Sequence, residues 1–331
     1  MYFKIDDRDE TSSVSTGRLP PSNQVRQLVS EAYELFKTND EGQNADYIPA
    51  LAAAPRACFG ICLAGTNGAL HEIGDVGVEF SIQSVSKPFV FALVLQVLGD
   101  QEARLKLGVN SSGLPFNSVM AIELNESRTI NPMVNAGAIA ATSLVPGTTP
   151  SEKWEFIQDG LSRFAGRKLS MDPIVYESES ATNQRNQGIS RLLESYGRIH
   201  YDPLAAVDIY TRQCSLNVTA RDLAVMGATL ADGGMNPITR EQVIDPLCCK
   251  RVLAVMATAG LYEYSGDWLY EIGLPGKSGV SGGIVTVSPG KGGMGTFSPP
   301  LDQAGNSVRG QMAAKYLSQK LGLNLFASRP I

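Results

Sequence analysis

Phe80-Ser-Ile-Gln-Ser-Val-Ser-Lys-Pro-Phe-Val-Phe-Ala-Leu-Val-Leu-Gln-Val-Leu98 reads as a short strand, a turn and then a strongly apolar helix. Ser84 and Lys87 stand three apart where that helix should begin, so their side chains share one face of its first turn. An amine held neutral there can take the proton of the neighbouring hydroxyl. Free backbone N–H groups at a helix start also stabilise developing negative charge. Residues 89 to 98 are apolar nearly all round, which predicts a helix buried on most sides. The plainer reading of the same four residues is a serine that caps the helix and a lysine on the surface. Other stretches have to decide between the two.

Working outward, the 331 residues are 43% hydrophobic, enough for one large core or two lobes. A formal charge of −5, with acids and bases interspersed, argues against a nucleic-acid binder or a cationic membrane-surface protein. No window approaches twenty apolar residues, and Met1-Tyr-Phe-Lys-Ile-Asp-Asp-Arg-Asp-Glu10 lacks the apolar core of a signal peptide. A soluble, cytoplasmic protein is expected. The five cysteines, Cys58, Cys62, Cys214, Cys248 and Cys249, then read as reduced thiols. Vicinal Cys248-Cys249 has no histidine near in sequence, so no metal site is expected. His71 and His200 lack the context of a Ser-His-Asp triad, which leaves lysine or tyrosine to carry protons.

Residues 1–22 read as a flexible tail ending in Leu-Pro-Pro, followed by a helix with an apolar stripe of Val25, Leu28, Val29, Ala32 and Phe36. Ala57–Ala64 and Ala69–Ile73, joined through Thr66-Asn-Gly68, read as a β-hairpin with a type I′ turn. Val78–Ile82 adds a third strand. Helical spacing then recurs near 101–107, 133–145, 151–165, 179–195, 203–214 and 219–232. Strand character returns at Gly283–Ser288 and Gly293–Ser298, and a last helix covers about 307–321. Strands at both ends with helices between imply an α+β fold: an antiparallel sheet flanked by helices, plus a helical lobe. The sheet lobe is expected from about 23–85 and 260–331, the helical lobe from about 86–259. Ser84 would lie at their boundary, a favoured place for a cleft.

Lys277-Ser-Gly279, just before a returning strand, completes a pairing of S-x-x-K helix and K-[ST]-G strand. That pairing is similar to the serine acyl-transfer enzymes of the β-lactamase and penicillin-binding-protein fold. Within that group the chain closely resembles the serine-dependent glutaminases. The resemblance rests on Asn44-Ala-Asp-Tyr-Ile-Pro49, Gln83-Ser-Val-Ser-Lys87, Gly113-Leu-Pro-Phe-Asn-Ser118, Asn131-Pro-Met-Val-Asn-Ala-Gly-Ala138, Asp208–Ser215, Gly260-Leu-Tyr262, Gly273–Val280 and Phe297–Asp302. These run in order from about residue 23 to the end.

What the resemblance implies is a β-lactamase/transpeptidase-like fold, hydrolysis of L-glutamine to L-glutamate and ammonia, no cofactor, and a homodimer or homotetramer. It implies Ser84 as nucleophile, Lys87 as its proton acceptor and Tyr262 beside the nucleophile. Asn135, Asn186 and Tyr210 are similar to substrate contacts, and Tyr47 to a tyrosine lining the same pocket. Glu179 resembles the carboxylate that receives the α-ammonium group. Val280, through its N–H, would form the oxyanion hole with the N–H of Ser84. Independently of any family, a zwitterionic amino acid entering a cleft needs partners for both charges, and one carboxylate with two amides suits it. The costs of holding a lysine neutral or deprotonating a tyrosine at pH 7 are too close in water, about 4–5 kcal/mol each, to choose the base. A penicillin-recognising serine hydrolase, with Ser215-Leu-Asn217 as its S-x-N, is the rival enzyme. A catalytically silent glutamine sensor on the same scaffold is the rival from another class.

Overall fold

Side-chain alternation along three strands decides which helices cover which face of the sheet. In β1 (Gly60–Gly65), Ile61 and Leu63 point to one side and Cys62 and Ala64 to the other. The computed structural model describes residues 18–327; the expected tail falls outside them over residues 1–17. A hairpin leads from β1 into β2 (Leu70–Gly74). Phe80–Ser81, β3, pairs instead with Asn217–Val218, β4, in a two-stranded ribbon. The third strand expected at Val78–Ile82 is therefore shorter and outside the main sheet. Three late strands complete that sheet: β5 (Gly276–Ser278), β6 (Gly283–Ser288) and β7 (Gly292–Phe297). The order is β2-β1-β7-β6-β5, antiparallel throughout.

The hairpin turn differs from the type I′ expected. Gly65 and Ala69 pair across three residues, and only Gly68 takes a left-handed φ, at 83°. Asn67 keeps an ordinary backbone and uses its side chain to accept from Ala69 N–H at 3.1 Å.

On one face of the sheet, helices Ser22–Phe36 and Val308–Lys320 bury Val25, Val29, Ala313 and Leu317 against Ile61, Leu63, Ile284 and Met294. The final helix is capped by Ser307, whose hydroxyl accepts from Gly310 N–H. On the other face lies helix Ala220–Ala231, placed by its sequence number in the helical lobe but packed on β1, β6 and β7. The reason is Gly293. A Cβ there would stand 2.2 Å from Ala228 N, so only glycine admits a helix backbone so close.

The remaining helices surround Ser86–Leu98, whose residues through Leu95 are buried. Phe89, Ile139, Ile157 and Phe164 belong to the core around it. Pro88 sits within its first turn, where the missing N–H is tolerated. The helix expected over 179–195 is two, Pro173–Ser180 and Gln184–Ser195. Thr182 explains the break: its hydroxyl bonds back to the carbonyls of Ser178 and Glu179, in competition with the helical ladder. Helices Pro246–Ala259 and Ser265–Glu271 are additions to the elements expected from the spacing.

Candidate active site

Ser84 lies in a 3-10 turn, Gln83–Val85, that opens directly into the helix Ser86–Leu98. Three bonds pin that turn. Ile82 N–H donates to Leu216 O at 2.8 Å, Ser86 Oγ to Gln83 O at 2.7 Å, and Gln213 Nε2 to Ser86 Oγ at 2.8 Å. Gln83 itself has φ +49°, a conformation rare for any residue but glycine and characteristic of sites where the surroundings hold strain. The strand side closes on the turn through the third residue of Lys277-Ser-Gly279. A Cβ at Gly279 would lie 2.9 Å from Ile82 O and 3.3 Å from the Gln83 Cβ. Glycine there lets β5 approach the serine.

Lys87 donates from Nζ to Ser84 Oγ at 2.9 Å and to Asn135 Oδ1 at 2.7 Å. It is 1% exposed, so the surface-lysine reading of the sequence is not what the chain builds. Burial brings its pKa down to about 8, against the pull of Cys214 and Glu179 in the other direction. Asn135, at the start of helix Asn135–Leu144, also accepts from Tyr210 OH at 3.3 Å and donates to Asn186 Oδ1 at 3.0 Å. Its amide thereby fixes the orientation of three neighbours.

Glu179, near the end of helix Pro173–Ser180, is 8% exposed and accepts from Gln83 Nε2 at 3.2 Å. Burial raises its pKa to about 7, while the bond from Gln83 and the charge of Lys87 oppose the rise. Tyr262 is the second site residue with a left-handed backbone, φ +59°. Its hydroxyl lies within hydrogen-bonding reach of Ser84 and donates to Ser278 O at 3.2 Å. Burial pushes that phenol up to about 12. Lys277 Nζ sits 4.1 Å from the centre of the Tyr262 ring and donates to Ser278 O at 2.8 Å. Burial and the nearby Lys87 hold Lys277 well below the ordinary lysine value.

A cavity of about 290 Å³ opens onto this cluster. Its walls include Tyr47, Gln83, Ser84, Phe116, Asn117, Asn135, Glu179, Arg185, Asn186, Tyr210 and Val280. Seven of the nine residues singled out from the sequence therefore line one space. The other two, Lys87 and Tyr262, stand behind its wall beside Ser84. Tyr47 is at the rim, 52% exposed, on a wall shared with a second cavity of about 560 Å³. Gln83, Phe116, Asn117 and Arg185 carry no role that the sequence alone suggests, although the first directly precedes Ser84. His71, His200, Cys248 and Cys249 are not among the lining residues. Among the described residues no group of three His, Cys, Asp or Glu could hold a metal ion. Nor is any described helix long and apolar enough to cross a membrane.

The arrangement offers a hydroxyl, an amine close to neutrality and a buried carboxylate around a space for a small molecule. Comparison with known proteins agrees with that chemistry. The family model described as glutaminase matches residues 42–326. "Glutaminase 2" of Yersinia pestis is 62% identical over 317 residues, 96% of this chain and 93% of that protein. A glutaminase of Colwellia psychrerythraea is 49% identical over 93% of this chain and 99% of its own length. Among solved structures, that of Bacillus subtilis glutaminase YbgJ, covalently bound to 5-oxo-L-norleucine after reaction with 6-diazo-5-oxo-L-norleucine, aligns with a TM-score of 0.81 at 32% identity. It covers 93% of this chain and all (100%) of YbgJ. The likeness holds in sequence and backbone alike, and the chain belongs to the glutaminase family of amidohydrolases.

Proposed function

We propose that the chain hydrolyses L-glutamine to L-glutamate and ammonia through a γ-glutamyl ester on Ser84, with Lys87 as the general base. The observation that carries this reading is the buried Lys87 ammonium 2.9 Å from Ser84 Oγ, at the edge of the cavity that Glu179 lines. A lysine of pKa about 8 costs only about 1 kcal/mol to hold neutral at pH 7. A tyrosine raised to about 12 costs about 7 kcal/mol to deprotonate. The surroundings of the two residues, indistinguishable in the sequence, favour Lys87 as the group that takes the proton.

In the first half-reaction Ser84 Oγ attacks the γ-carboxamide carbon and its proton passes to Lys87 Nζ. The resulting oxyanion sits between the N–H groups of Ser84 and Val280. The Lys87 ammonium then gives its proton to the leaving nitrogen, ammonia departs, and the ester remains on Ser84. Water attacks the ester, passes a proton to Lys87, and releases glutamate as Ser84 regains its hydrogen. Glu179 receives the α-ammonium of the substrate. Asn135, Asn186, Tyr210 and Tyr47 hold the rest of it, and the Tyr262 hydroxyl orients Ser84 Oγ. The family resemblance supports a homodimer or homotetramer.

Ammonia release from glutamine tests the nucleophile. Ser84→Ala should lower turnover by at least roughly 10⁴-fold while glutamine binding stays detectable by calorimetry. Substantial turnover by the variant would refute the assignment.

A further inference from the structure

Strand β5 and the turn after it carry two parts of the proposed chemistry, at the very edge of the sheet. The strand is bonded to β6 on one side only. Its last residue, Ser278, offers the carbonyl that accepts from Tyr262 OH at 3.2 Å and from Lys277 Nζ at 2.8 Å. Val280, whose N–H the mechanism directs at the oxyanion, follows in a tight turn. There Gly279 N–H donates to Gly283 O and Gly282 N–H to Gly279 O, both at 2.9 Å. Pairing on one side leaves the end of such a strand to be fixed by its side chains.

Asn306 supplies the anchor. Ser278 Oγ donates to Asn306 Oδ1 at 2.5 Å, and both residues are fully buried. A closed loop seats Asn306 in turn: its N–H and that of Ala304 donate to Asp302 Oδ1 at 3.0 and 2.9 Å, and Gln311 Nε2 donates to Asp302 Oδ2 at 2.8 Å. The same loop lies against two site residues. A Cβ at Gly305 would stand 3.5 Å from Val280 Cγ1 and 3.8 Å from Tyr262 Cε2. Among the described residues Asn306 Nδ2 has no acceptor. Burying an amide with its NH₂ group unmet costs folding free energy that an apolar side chain of similar size would not. The return for that cost lies outside stability, and among the described residues the group that the amide holds is Ser278.

We propose that Asn306 is a positioning residue for the hydrolysis. Through Ser278 it holds the end of β5, so that the Ser278 carbonyl keeps the Tyr262 hydroxyl on Ser84 and the Val280 N–H stays aimed at the oxyanion. The inference rests on the glutamine reading of the cavity. Asn306 is not among the residues lining that cavity, so its loss acts on the transition state and not on the binding of glutamine.

The test measures kcat and KM for L-glutamine in the parent, Asn306→Leu, Ser278→Ala, the double variant and Asn306→Asp, with the folded fraction of each read from thermal unfolding. Removing a whole oxyanion donor costs roughly 10²–10³ in kcat. Asn306→Leu, which only loosens one, should lower kcat per folded molecule roughly tenfold to a hundredfold with KM within about threefold. Asn306→Asp still accepts from the Ser278 hydroxyl in either protonation state and should keep more of kcat than Asn306→Leu. The double variant should match the slower single variant within about threefold, because both changes remove one bond. Parental kcat in Asn306→Leu, a loss confined to KM, an aspartate no better than leucine, or losses that multiply in the double variant would each overturn the proposal. Should Asn306→Leu not fold, Ser278→Ala removes the same bond from its other end: a loss of kcat there supports the proposal and parental kcat overturns it. A parent that releases no ammonia from glutamine would instead overturn the functional reading itself.

Discussion

Two buried cations in this molecule have opposite fates, and the contrast shows where its chemistry comes from. Arg309 is 3% exposed, and Lys87 is 1% exposed. Arg309 is surrounded by oxygen. It donates to Ser298 Oγ at 2.8 Å and to the carbonyls of Lys37 at 3.2 Å, Ala57 at 3.4 Å, Cys58 at 3.0 Å and Arg56. It also lies over the Phe59 ring. Burial lowers its pKa, but a guanidinium stays protonated in a protein, and here it ties residues 37–58 to the final helix. Among the described residues, Lys87 has only a hydroxyl and an amide oxygen, and no carboxylate within bonding distance. Both cations lost water on folding, but only Arg309 recovered a full shell of acceptors. The under-solvated one can give up its proton. On the proposed mechanism, reactivity follows from incomplete compensation rather than from burial alone.

The contrast can be broken at either end. Arg309→Met should cause the largest change in stability, roughly 3–5 kcal/mol, since it leaves several buried acceptors without a donor. Thermal or urea unfolding would measure it. The pH midpoints of kcat/KM should stay where they are in the parent, because Arg309 does not face the cavity.

The smaller effect belongs to the pocket and has the opposite sign. Glu179 has a folded pKa of about 7, above its unfolded value, so its ionisation opposes folding once the pH passes upward through that range. Glu179→Gln should therefore stabilise the fold by about 1–3 kcal/mol at pH 8, and the gain should vanish near pH 4.5, where both forms are neutral. Activity should fall in the same variant. A destabilised Glu179→Gln at pH 8 would show that the carboxylate is a structural anchor after all.

The difference between the two cations is only half visible in the sequence. Ser84, Lys87 and Lys277-Ser-Gly279 can be read because each motif keeps its chemistry within a few consecutive residues. The hairpin is legible for the same reason, through Asn67-Gly68, although its turn has one left-handed residue where two are expected. What cannot be read depends on approach between distant segments. Helix Ala220–Ala231 lies on the sheet because Gly293 has no side chain, and nothing in the helix's own pattern says so. Gln83 owes its left-handed backbone to the turn and strands around it, not to its residue type. Arg185 looks like any exposed helix residue until the cavity shows what it faces. The choice between Lys87 and Tyr262 needs the surroundings of both, because their ordinary pKa values differ so little.

The most direct test of the central claim is the pH dependence of kcat/KM for glutamine. On the proposed mechanism Glu179 is ionised to hold the α-ammonium and Lys87 neutral to accept the proton, so both groups should activate the enzyme as pH rises. With values of about 7 and about 8, the rising limb should be nearly complete by about pH 9, then fall as the substrate's own ammonium is lost. A profile flat from about pH 6 to 9, or one that climbs unbroken past about pH 10 as a tyrosine base at about 12 would require, would contradict it.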